Sequence, residues 1–181
     1  MKKAYIFLII FVVVLSAALG AVYQIKFVPF DSVSSYISSF ASGLSNGLNR
    51  KNIFLNSLRD SALTASIIFV CGFVRIGFLV SVFAAARRCF AAGFTSAAFI
   101  SVFKAKGVLA AAVLELPFIL SLIPLAALCS VSVMLSIDRE RKTSMQIRSF
   151  ILLALGSMLI FAGAALCEGY AVPILLKIIL K

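Results

Sequence analysis

The chain has 181 residues, of which 63% are apolar and 13% charged, against about 45–50% and about 25% in an ordinary soluble domain. Six acidic residues and a mean hydropathy of +1.16 cannot clothe a folded surface in water, so a soluble enzyme or nucleic-acid-binding domain is excluded and an all-α polytopic membrane bundle is expected. The net charge of +11 comes from Lys and Arg set between apolar blocks, where such residues hold helix ends at the headgroups.

From the N-terminus, Met1-Lys2-Lys3 leads an apolar run at 4–22, close to the about 20 residues a spanning helix needs. It reads as a retained anchor. The competing reading, a cleaved signal peptide, rests on the short core from Ala4 to Leu15 and the small residues around Ala18-Leu19-Gly20. Residues 31–60 differ in character: Ser, Asn and Gly are dense, yet Val33, Tyr36, Ile37, Phe40, Leu44 and Leu48 recur with an amphipathic helical period. Asp31 or Ser32 is placed to cap this helix, whose mostly uncharged polar face puts it at the membrane interface or against the bundle. A short lead-in helix from Asn52 to Asp60, carrying Ile53, Phe54, Leu55 and Leu58, follows.

The block from Ser61 to Phe103 is interrupted only by Arg75 and Arg87-Arg88 and is long enough for two spans. With the turn at Arg87-Arg88 the spans are 61–83 and 89–103, and Arg75 is buried in the first. With the turn between Gly72 and Gly77, Arg75 reaches a membrane surface and one long helix follows. Length favours the first arrangement; the cost of an Arg at mid-membrane, about 2.5 kcal/mol or more, favours the second. Beyond Lys104-Ala105-Lys106-Gly107, the run 108–137 would measure ~45 Å as one helix against a hydrocarbon core of ~30 Å. Pro117 and Pro124 are expected to kink or break it. A charged loop from Asp138 to Lys142 precedes the last span, 150–170, and Pro173 should kink that helix or start a short terminal one. The sum is a single integral membrane domain, 1–181, with about five spans, a multi-pass protein of the cell membrane. Short-loop charge favours an inside N-terminus and an outside C-terminus.

Arg75, Glu115 and Glu168 are the ionisable groups nearest membrane depth, where such side chains persist when paired, solvated by a cavity or functional. In one reading the two acids are proton or cation ligands beside broken helices, as in a permease-like subunit or a small-solute or ion transporter. In the other they pair with Arg75 or cap helix ends. Small residues such as Gly93-x-x-x-Ala97, Gly156 and Gly163 permit close helix packing and leave room for a homo-oligomer. Cys71, Cys89, Cys129 and Cys167 have neither pairing nor metal spacing and read as small hydrophobes. The chain lacks histidine, P-loop, Rossmann fingerprint and zinc cluster, so no catalytic residue, cofactor, metal or nucleic-acid partner is expected. A Ser-Lys enzyme, built on residues such as Ser121 or Lys104, has no supporting motif.

The order of features is a basic-led first helix, a Ser-rich amphipathic segment, Asn52 to Leu58 leading into paired spans, a proline-interrupted fourth block and a last helix ending at Phe161 to Pro173. This order resembles the stage II sporulation protein M family. The most telling stretch is Ala165-Leu166-Cys167-Glu168-Gly169-Tyr170-Ala171-Val172-Pro173, similar to that family's acidic residue near the end of its last span, followed five residues later by proline. The resemblance implies a non-enzymatic mother-cell membrane protein, needed at septal thinning and engulfment. Such a protein anchors peptidoglycan-degrading partners similar to stage II sporulation proteins D and P. Two features depart from the family pattern: Arg87-Arg88 is more basic at that bend, and residues 24–60 are too few for a folded extracellular domain. Partner contact is then expected within the bilayer or along the amphipathic segment Val33 to Leu48.

Overall fold

The computed structural model describes residues 2–46, 49–74, 76–137 and 144–179, and no strand occurs among them. Helix α1 (Lys2–Phe27) outruns the expected 4–22 and ends where Val28 precedes Pro29, a position that disfavours helical dihedrals. Helix α2 (Phe30–Asn46) carries Asp31 in its first turn rather than as a cap. Helix α3 (Arg50–Cys71) is capped by Asn49, whose Oδ1 accepts the Asn52 N–H at 3.4 Å. The lead-in helix expected at 52–60 is therefore the first half of α3, continuous with the span. Helix α4 (Gly77–Ile137) is followed by α5 (Ser144–Leu166), a π-helical turn (Cys167–Ala171) and α6 (Val172–Ile179).

Two expected boundaries are corrected. The chain turns at 72–76, not at Arg87-Arg88, so 61–83 and 89–103 are not the helical units. Glycine at both edges of the turn allows this. A Cβ on Gly72 would lie 2.9 Å from the Phe150 ring, and one on Gly77 would lie 1.8 Å from the Cys71 carbonyl oxygen. The second correction concerns the prolines: α4 keeps helical dihedrals through Pro117 and Pro124, so neither breaks it, while the non-helical residue Lys104 (φ 49°, ψ −119°) falls in the expected interruption at 104–107. There Lys104 and Lys106 face outward, so the turn keeps their charges at a surface. The two arms of α4, 77–103 and 105–137, run antiparallel. Gly107 sits against Phe99 so closely that a Cβ would approach its carbonyl oxygen to 2.2 Å, and Ser81 and Ser132 hydroxyls meet at 2.9 Å.

Among the described residues, four helical stretches are long and apolar enough to cross a membrane: Ile9–Phe27, Arg50–Cys71, Gly77–Leu135 and Ile147–Ile179. Because α4 folds back at Lys104, and each of its arms exceeds the ~20 residues of a span, each arm has the length for a passage of its own. Large apolar side chains face outward, including Phe7, Ile123 and Leu159, each more than 70% exposed. In water each would forgo about 1.5–3 kcal/mol of burial, so this exterior suits lipid and the chain is a multi-pass membrane protein.

Inside, packing divides into two apolar clusters. One gathers Ile68, Ala85, Leu128, Phe150 and Phe161; the other gathers Val33, Ile37, Phe99, Ala110 and Leu176. Along the first arm of α4, the second arm and α5–α6, a polar stretch falls between the residues given to the two clusters. α1 packs along the first arm of α4 in parallel: Ile9 lies near Val82 and Ala85, Ala17 against Gly93, Gly20 against both Phe90 and Phe94, and Gln24 donates to Ser101. By contrast, Gly156 and Gly163, expected at a packing contact, have nothing within 4 Å of an added Cβ.

Candidate functional site

The polar stretches of α3, both arms of α4 and the π turn enclose a cleft of about 390 Å³. Asn56, Ser57, Asp60, Arg88, Thr95, Glu115 and Glu168 contribute to its lining, alongside Pro117. Glu115, on the second arm, accepts a hydrogen bond from the Ser96 hydroxyl on the first. Glu168 sits in the π turn, where Val172 N–H reaches back to the Cys167 carbonyl, and its Oε2 accepts from Ser57 of α3 at 2.5 Å. A π turn re-aims side chains relative to the helix before it, and here it precedes Pro173, which cannot donate to the helical ladder. Gly169 permits the approach, since a Cβ there would lie 2.9 Å from that of Phe54.

Arg75 lies outside the described residues; among those described, the guanidinium that lines the cleft is that of Arg88. Its Nη2 donates to Ser61 Oγ at 2.9 Å, its carbon lies 5.8 Å from the centre of the Phe161 ring, and its Nη1 is buried without a hydrogen-bond partner. The carboxylates of Asp60 and Glu168 both act on it electrostatically. Arg87, one residue earlier, points outward and forms an exposed ion pair with Asp60 at 3.1 Å. Among the described residues, three carboxylates therefore line a cleft holding one guanidinium, with Arg87 offsetting Asp60 from outside. Counted over these described residues as formal charges, one negative charge is in excess.

Arg88 had a signal in the sequence. A turn centred between Gly72 and Gly77 sets Ser61 opposite Arg88 and brings Asp60 within reach of the long Arg87 side chain. The Ser partners of the two glutamates, at separations of 19 and 111, depend on the Lys104 hairpin and on the return of the C-terminal helix, which local periodicity does not reveal.

The remaining expected site residues are distributed as follows. Pro117 lines the cleft and Pro173 stands in the first turn of α6, whereas Pro124 is buried away from both. On α2, Val33 and Ile37 are buried, and Phe40 meets Phe99 edge-on at 6.0 Å, so the chain's own helices occupy this apolar face. Tyr36, expected on the same face, is 76% exposed: it projects from the serine side, where Ser34, Ser35, Ser38 and Ser39 return hydrogen bonds to their own helix. The Leu44 side chain and Leu48 lie outside the description. Among the described residues, all four cysteines are free and no set of three or more His, Cys, Asp or Glu could hold a metal ion. Ser121 donates to its own helix at Phe118, and Lys104 stands at the hairpin.

No family model, curated protein or solved structure matches this chain.

Proposed function

We propose that this chain is a non-enzymatic membrane scaffold resembling stage II sporulation protein M, which holds peptidoglycan-degrading partners at the septum of a mother cell during engulfment. One observation carries this reading. Two of the features that carry the resemblance, Asn52 to Leu58 and Ala165 to Pro173, pack against each other through Ser57 and Glu168 and through Phe54 and Gly169. Stretches distant in sequence thus meet at one structural joint. Since the apolar face of α2 is already covered, partners would meet its Tyr36 and serine face or the lipid-exposed flanks.

The experiment is crosslinking and recovery of the tagged chain from sporulating membranes, scored for wall hydrolases. Recovery of a septal hydrolase, diminished by Tyr36→Ala, supports the scaffold. Recovery of none overturns it.

A second reading, a permease-like subunit or small-solute transporter, is favoured by the mixed-charge cleft of Arg88, Glu115 and Glu168 among apolar helices. Glu115→Gln and Glu168→Gln would then abolish flux in protein that still inserts. Unchanged recovery of hydrolase by the same variants would favour the scaffold.

A further inference from the structure

We infer that the cleft between α3, α4 and the π turn binds a small zwitterion, a ligand bearing one ammonium group and one acidic group. This deepens the permease reading by naming its ligand class.

The charge balance is the first argument. At the depth of apolar helices an uncompensated carboxylate is costly, and among the described residues the cleft carries one formal negative charge beyond what Arg88 and the Arg87–Asp60 pair offset. A cationic group is the natural complement.

Size and donor set then decide which kind. A bare hard cation needs a close cage of about six to eight oxygens, and the described residues contain no cluster able to hold a metal. The volume of about 390 Å³ instead falls within the roughly 300–1,000 Å³ of small-molecule sites.

The free valences identify the two ends of the ligand. Glu115 and Glu168 each give one oxygen to a serine hydroxyl. Both residues line the cleft, and among the described residues no hydrogen bond reaches their second oxygens. An ammonium, with three donors, is the group that such carboxylate oxygens and a neighbouring hydroxyl accept from. At the other end, Arg88 has an Nη1 with no acceptor. Arg88 lines the cleft, and a ligand's acid group, a carboxylate or phosphate, is the planar or tripod acceptor that matches its unsatisfied donor.

Two sources carry this chemistry: a free amino acid, and the phosphoethanolamine headgroup of a lipid. The experiment uses the purified full chain in detergent and measures heats of binding for neutral L-amino acids and for phosphoethanolamine. Ethylamine and acetate serve as half-ligands, and native mass spectrometry looks for retained phosphatidylethanolamine. The expected result is saturable binding of one zwitterion class, with each half-ligand at least about tenfold weaker. Glu115→Gln and Glu168→Gln, which keep an acceptor for Ser96 and Ser57, should each lower affinity about tenfold with helicity unchanged. Amino-acid binding alone assigns a solute; phosphoethanolamine binding or retained lipid assigns a headgroup.

The inference is overturned if folded protein binds neither zwitterion up to about 10 mM and retains no lipid, if a half-ligand binds as tightly as the zwitterion, or if both Gln variants bind like the parent. Because binding is read without transport, a lack of flux in vesicles defeats the permease reading and leaves this one standing.

Discussion

Arg87 and Arg88 are neighbours of identical chemistry in different surroundings, and they should respond differently to removal. Arg87 and Asp60 form their ion pair with side chains 60% and 55% exposed, so Arg87→Ala is expected to change stability by less than about 1 kcal/mol. Arg88 is drawn among α3, α4 and Phe161; removing it strips Glu168 of a cationic influence and leaves Ser61 without that donor. Arg88→Ala should cost about 2–3 kcal/mol, checked by comparing denaturation midpoints of both variants in detergent. The same contrast explains what could be read in advance. Glu115 and Glu168 stood out because carboxylates are rare in apolar stretches, and the structure brings both into one cleft. Arg88 did not, because an Arg-Arg pair between two apolar runs also reads as a membrane-surface marker, and only the turn at 72–76 sets it opposite Ser61.

At the scale of helices, hydropathy located the apolar blocks and the interruption at Lys104 to Gly107, and left the turn before it open between Gly72–Gly77 and Arg87-Arg88. Within that interruption it did not single out the reversing residue, because nothing in the apolar period distinguishes Lys104 from Lys106. Pro117 and Pro124 pointed to a break that did not form, because a proline removes one hydrogen bond while packed neighbours hold the rest of the helix. A lysine at positive φ costs about 1–3 kcal/mol, and glycine accepts that conformation at about 0.5–1 kcal/mol of added chain entropy. Lys104→Gly is therefore expected to raise stability by about 1 kcal/mol, seen as a higher unfolding midpoint; a lower one would mean the lysine contributes contacts beyond the turn. Glycines give a second comparison. A Cβ on Gly93 would fall 2.0 Å from the Ala17 carbonyl oxygen of α1, whereas one on Gly156 meets open space. Gly93→Leu should destabilise by about 3 kcal/mol as α1 is pushed from α4, and Gly156→Ala should stabilise by about 0.8–1 kcal/mol through helix propensity alone. Both are read from thermal unfolding of the purified chain. The sequence placed these two glycines together as packing residues, because spacing shows that a helix face is small without showing that a neighbour lies on it.

For the whole molecule, the pairings along α1 and the first arm of α4 increase together, from Ala17 with Gly93 to Gln24 with Ser101, so these helices run parallel. α3 runs against the first arm, since Asp60 pairs with Arg87 and Ile68 with the Ser132 that also meets Ser81. If both arms cross the bilayer, the turn at 72–76 and the hairpin at Lys104 lie on opposite membrane faces, and the α1–α2 junction at Val28 shares the face of Lys104. Loop charge alone does not establish this, because basic residues fall on both sides in similar number; the helix pairings add the constraint that charge counting lacks. Single cysteines at Val74, Lys104 and Val28, in a background whose native cysteines are replaced, should separate under a membrane-impermeant maleimide. Val74 is expected to label from the face where the N-terminus lies, and Lys104 and Val28 from the other. Labelling of Val74 and Lys104 from the same face would show that the first arm of α4 does not cross. The cleft, lined from the middle of both arms, would then lie at an interface and not at depth, and its carboxylates would need no cation to balance them.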